Sequence, residues 1–186
     1  MINYIFVLDN NIFSSSLLHI PFSIFTDLYF PWSNGMKEGY LISVEEVFKE
    51  LMVFFQKNKD KYPSEYSWLQ NHKNAFKGMT RNDSTYVRKI LNDNKFREGV
   101  KPQSILQGLP QADAILVAKA KTVNGIIITE ESSIKPNSDR IPNICAKFDI
   151  PCFNLYDFYK IIKENLFNNA DFIQNLIAER KFPYKR

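Results

Sequence analysis

Two uninterrupted apolar runs, each closed by an acidic residue, constrain this chain more than any other feature. Tyr4-Ile5-Phe6-Val7-Leu8 stops at Asp9, and Ile126-Ile127-Ile128-Thr129 stops at Glu130-Glu131. Neither run alternates with polar residues, so each reads as a strand covered on both faces, as strands in parallel sheets are. Helical patterns lie between and after them. The expected class is therefore α/β, in three layers, with a mostly parallel sheet of four to five strands flanked by helices.

The remaining elements follow from punctuation and periodicity. Residues 12–37 read as short helices broken by Pro21 and Pro31, and Leu41-Ile42 as a short strand. Ser43-Val44-Glu45-Glu46 matches a Ser-x-x-Glu capping box, with apolar residues following at helical spacing. Two further helices fit 64–76 and 84–93. Pro110 is suited to the first turn of a helix running from Gln111 to about Thr122. A helix over 140–148, a strand over 151–155 and closing helices over 156–167 and 171–180 complete the pattern. No repeat or linker interrupts residues 1–186, so one domain is expected.

Composition removes several classes. With 45% hydrophobic and 24% charged residues, the chain can build an ordinary folded core. No apolar run is long enough for a membrane span, and Met1-Ile2-Asn3-Tyr4 is not the basic opening of a signal peptide, so a cytoplasmic protein is expected. Cys145 and Cys152 lack the spacing of a zinc site, and a chain of this size does not need a disulfide. The net charge is +4. It is concentrated between His72 and Lys101, where eight Lys or Arg face only Asp83, Asp93 and Glu98. A second basic cluster spans Arg180 to Arg186. Such stripes suit a phosphate backbone, although a solvated helical face has the same pattern. Phe76, Tyr86 and Phe96 in this region fit either base stacking or the core.

The acids define the chemistry. Ligand sites of open α/β sheets lie beyond the carboxyl ends of the strands, where Asp9 and Glu130-Glu131 fall. Asp113 heads a helix that is apolar nearly all round, and continues the face of Leu116, Val117 and Ala120. A fourth acid comes from the helix after residue 43. Glu46 is assigned to the capping box, which leaves Glu50 as the preferred candidate. Four oxygen ligands without histidine or cysteine suit Mg²⁺ or Mn²⁺, which activate water and stabilise charge on a phosphodiester. Dinucleotide, Walker and nucleophile-elbow motifs are absent. His19 reads as a partly buried side chain, and His72 has no nucleophile nearby. A phosphotransfer enzyme using Asp9 as nucleophile is disfavoured, since the Asp-x-Asp pair it needs has Asn11 at its second position.

These residues resemble the PIN-like domain family. Leu8-Asp9-Asn10-Asn11 resembles its Asp-Thr-Asn opening, and Ile42-Ser43 followed by Glu50-Leu51 resembles its second motif. Gln111-Ala112-Asp113-Ala114 resembles the third, and Ile127-Ile128-Thr129-Glu130-Glu131 the fourth. Trp32, Trp68-Leu69-Gln70-Asn71-His72-Lys73 and Ile141-Pro142-Asn143-Ile144-Cys145 resemble a PIN-like subfamily of unassigned function, close to VapC-type toxins. The resemblance implies Mg²⁺- or Mn²⁺-dependent cleavage of RNA by the toxin of a type II toxin–antitoxin pair. A small antitoxin protein and a homodimer are the partners it implies. Asp9, Glu50, Asp113 and Glu131 would be catalytic metal ligands, oriented by Asn11 and Thr129, with Glu130 competing for the fourth position. Asn10 stands where the family often has Thr or Ser. The alternative is a PIN-like module that binds RNA or protein without turnover.

Overall fold

The computed structural model describes residues 4–20, 24–93, 112–131 and 140–180. Its centre is β1 (Phe6–Leu8), whose three side chains are fully buried. β2 (Leu41–Val44) and β4 (Ile126–Ile128) flank β1, while β3 (Phe76–Lys77) and β5 (Cys152–Phe153) form the edges. The order is β3-β2-β1-β4-β5, and every pair is parallel. This is the expected α/β class with five strands. Gly125 opens β4 because a Cβ there would lie 2.9 Å from the Ile5 carbonyl oxygen.

Helices flank the sheet: α1 (Asn10–His19), α2 (Thr26–Lys37), α3 (Glu45–Lys57), α4 (Pro63–Asn71), α5 (Arg81–Leu91), α6 (Ala112–Thr122), α7 (Ile141–Lys147), α8 (Leu155–Lys163) and α9 (Ala170–Arg180). α6 packs against β1, β2 and β4, with α5 laid over it. All its residues from Ala114 to Ala120 are buried, as its apolar surface requires. Pro110, expected to open this helix, lies outside the described residues.

Several local expectations need correction. Pro31 sits inside α2 rather than ending a helix. Its neighbours hold the segment together: Trp32 is fully buried and stacks on Tyr29 at 5.8 Å, with Trp68 and Phe158 packed edge-on against it. Losing such a side chain costs about 3–5 kcal/mol, comparable to a helix-interior proline. The expected helix 64–76 ends at Asn71, and after a 3-10 turn (Lys73–Ala75) the chain forms β3. The helix expected from residue 84 begins at Arg81, behind a capping box of Thr80 and Asp83.

Another correction concerns Ser43. It lies inside β2, and its hydroxyl donates to the Leu8 carbonyl at 2.6 Å. Val44 is the N-cap of α3, with no side-chain cap bond. Glu46 is thus not occupied by a capping box. Among the histidines, His19 is exposed rather than partly buried. His72 is buried with Nδ1 2.7 Å from the Trp68 carbonyl, and burial lowers its pKa.

Part of the basic region is structural. Lys119 of α6 is 4% exposed, and its ammonium lies 2.5 Å from Asp83 of α5 and 2.9 Å from the Gly78 carbonyl. Burial pushes the Asp83 carboxyl up, but hydrogen bonds from Lys119, Thr122 and Thr80 outweigh it and hold the pKa at about 2. Lys73, Lys77, Arg81, Arg88 and Lys89 are exposed, whereas Lys95, Arg97 and Lys101 lie outside the described residues. Phe76 is a core residue and Tyr86 is half-buried; Phe96 is outside the described residues. Arg180 pairs with Asp157 at 2.9 Å, and the rest of the basic tail is not among the described residues.

Candidate functional site

β1 and β4 run in register, Leu8 beside Ile128, so the residues that follow them emerge together. The Asp9 amide donates to the Ile128 carbonyl at 3.0 Å. Asp9 is also the N-cap of α1, with Oδ1 accepting from the Asn10 amide at 2.7 Å. Its Oδ2 accepts from the Thr129 hydroxyl at 2.7 Å. That hydroxyl in turn accepts from Asn11 Nδ2 and from the Glu131 amide, both at 3.1 Å. Asn11 Oδ1 accepts from the Glu130 amide at 3.0 Å. The first turn of α1 and the segment after β4 are thereby clamped, with both Asp9 and Thr129 buried.

The carboxyl held this way is costly to ionise. Burial is the main cause of its raised pKa, and the charges of Asp113 and Glu131 push in the same direction. Hydrogen bonds from Thr129 and the Asn10 amide oppose them, and the balance leaves Asp9 at about 7. Three of the four candidate acids, from three separate elements, therefore share one electrostatic environment. Asp113 is half-buried in the first turn of α6, where the helix dipole favours a negative charge.

Glu50 joins them less directly. It is exposed on α3, and its Oε2 accepts from Asn10 Nδ2 at 2.9 Å. The two glutamates after β4 diverge. Glu130 is exposed and accepts from the Ser15 hydroxyl. Glu131 accepts from the Ile141 amide at 2.8 Å and pairs with Arg140 at 3.0 Å. Both Glu131 oxygens are thus engaged at the start of α7. Among the described residues, no three His, Cys, Asp or Glu side chains form a cluster ready to hold a metal ion.

Two acceptors complicate that picture. Asn10 Oδ1 and Glu46 Oε2 are buried without a hydrogen-bond partner, a state that costs about 1–3 kcal/mol per group. Asn10 neighbours Asp9 and carries the bond to Glu50, while Glu46 precedes Glu50 by one turn. An all-oxygen donor set containing an acid held near 7 and orphaned acceptors suits a hard divalent cation in kind. In the sequence an apparent capping box assigned Glu46 to the helix start. The signal against it was Ser43 itself, which belongs to the apolar run Leu41-Ile42-Ser43-Val44.

Beside Glu131 opens a cavity of about 490 Å³, lined among others by Thr129, Cys145, Cys152, Asn154 and Arg180. Among the described residues, no helix is long and apolar enough to cross a membrane.

The chain is similar in structure to one in "Crystal structure of VapBC2 from Rickettsia felis bound to a DNA fragment from their promoter". The two are 17% identical, with a TM-score of 0.46 over 81% of this chain and 98% of that one. No curated protein matches the sequence. Residues 6–166 match the model of a domain of unknown function, DUF4411. That match spans β1 to the end of α8, including every candidate acid, and the chain belongs to the DUF4411 family.

Proposed function

We propose that the protein is a Mg²⁺- or Mn²⁺-dependent endoribonuclease, acting as the toxin of a toxin–antitoxin pair in the cytoplasm. The observation that carries this reading is Asp9. A buried carboxyl at a strand end, raised to about 7 with Asp113 and Glu131 nearby, is an expensive arrangement that a divalent cation would relieve. The four motifs that resemble the PIN-like family point the same way.

A divalent cation at such a site supplies water of lowered pKa and offsets the charge that builds on phosphate oxygens. Asp9 and Asp113 would hold it, with Glu50 placed through Asn10 and Glu131 completing the site through water while Arg140 and the Ile141 amide engage its oxygens. Thr129 keeps Asp9 Oδ2 fixed, and Asn11 keeps Thr129 fixed. This support lets the carboxylate meet its ligand without reorganising. The exposed Lys73, Lys77, Arg81, Arg88 and Lys89 would follow the RNA backbone. A small antitoxin protein would silence the site, and a homodimer is the proposed assembly.

Incubation of total RNA with purified protein tests the reading. Cleavage that needs Mg²⁺ or Mn²⁺ and is lost in Asp113→Asn supports it, while equal cleavage by both proteins refutes it. A second reading, a module that binds RNA or protein without turnover, draws on Glu131. Its carboxylate is engaged by Arg140 and the Ile141 amide, as a purely structural residue would be. RNA binding without cleavage at any metal concentration would favour that alternative.

A further inference from the structure

The cavity beside Glu131 holds a feature that the nuclease reading does not use. Cys145 lies in α7 and Cys152 in β5, and both line this cavity as free thiols. The seven-residue separation is folded back on itself. The Ile150 amide donates to the Cys145 carbonyl at 2.9 Å, and Asp149 takes a positive φ of 52° to make the reversal. The turn brings Cys152 back along the end of α7, so that both side chains line the same cavity, and Cys152 follows burial among the causes that raise the Cys145 thiol. Cys145 is buried and Cys152 is half-buried, so solvent and small solutes meet Cys152 first.

We propose that Cys145 and Cys152 form a two-electron oxidation site, closing to an intramolecular disulfide when a hydroperoxide enters the cavity. The Cys152 sulfur attacks the peroxide, breaks its O–O bond and becomes a sulfenic acid, while the peroxide is reduced and leaves as water or an alcohol. The Cys145 sulfur then attacks the Cys152 sulfur and forms the S–S bond. The departing hydroxyl takes the thiol proton and leaves as a second molecule of water. Two thiols and one hydroperoxide become one disulfide, one water and the reduced peroxide.

The environment sets the order and speed of these steps. Burial and the neighbouring Cys152 raise the Cys145 thiol well above its ordinary pKa, which makes it a slow attacking group and leaves Cys152 to meet the oxidant. The bond would also reach the acidic site. Cys145 lies one turn along α7 from Ile141, whose amide holds Glu131. Drawing Cys145 toward β5 therefore pulls on the helix start that positions Glu131.

The full chain, reduced and then treated with hydrogen peroxide, tests this without any nuclease assay. Both thiols are expected to disappear together in a thiol titration. The intact mass should fall by two hydrogens, the protein should stay monomeric in non-reducing gels, and dithiothreitol should restore the starting material. In Cys145→Ser, Cys152 should instead gain oxygen or stay reduced, and no intramolecular bond should form. Cys152→Ser should leave Cys145 titratable after unfolding. Oxygen added to wild-type Cys152 while Cys145 remains a thiol would overturn the proposal. So would a disulfide-linked dimer.

Discussion

Asp83 and Asp9 are both buried aspartates at helix N-termini, yet their surroundings drive them in opposite directions. Asp83 is the third residue of α5, and Lys119, Thr122 and Thr80 satisfy it from all sides. Its pKa is about 2. Asp9 caps α1 through the Asn10 amide and accepts a second hydrogen bond from Thr129, but the charges acting on it are those of other acids, and its pKa is about 7. One carboxylate is completed by the protein; the other is the one that we propose a cation completes. Burial alone does not mark a functional acid, whereas burial beside like charge does.

The largest expected effect falls on the completed pair. Replacing Lys119 with Ala strands the Asp83 charge in the interior, and urea unfolding should show a loss of about 3–5 kcal/mol. RNA cleavage is expected to change little beyond the loss of folded protein. Asp9→Asn should behave in the opposite way. Its cleavage rate should fall about 100-fold or more, while its metal-free stability at neutral pH stays the same or rises. A variant of Asp9 that unfolds as readily as Lys119→Ala would erase the contrast.

The next effect is on pH dependence, and its sign follows from the raised pKa. Folded Asp9 keeps its proton up to about pH 7, whereas the unfolded chain releases it near the ordinary value for aspartate. Metal-free stability should therefore fall as pH rises from about 4 to 7 and level off above that, by about 2–3 kcal/mol between pH 5 and 8. Asp9→Asn should flatten this slope in pH-dependent unfolding curves. Asp83, with its depressed pKa, gives stability that is lost only in strong acid. The smallest effect belongs to Glu46→Gln, which should alter metal-free stability by no more than about 1 kcal/mol. It should also weaken Mn²⁺ stabilisation less than Asp9→Asn does. A larger weakening would make Glu46, not Glu50, the principal acid of α3.

Much of this molecule is legible in its sequence because its two central strands are unbroken apolar runs. The fold class follows from them, as does the convergence of Asp9 with the segment that follows β4, whereas the support of Asp9 by Thr129 was implied only by the PIN-like resemblance. The edge strand β3 was not legible. It has only two residues, one buried and one exposed, and its pairing with β2 is a tertiary choice. Pro31 misled for a related reason, since the packing of Tyr29 and Trp32 overrides local preference. Ser43 misled because a hydroxyl beside Glu46 has the spacing of a cap, but a neighbouring strand claimed it first. The loss of that cap is what reopened the question of Glu46.

Calorimetric titration of Mn²⁺ into the protein at pH 6, in two buffers of different ionisation enthalpy, tests the central claim most directly. If Asp9 awaits a cation, binding should release close to one proton, and Asp9→Asn should bind far more weakly without that release. Equal affinity in both proteins, or binding with no proton released, would contradict the claim.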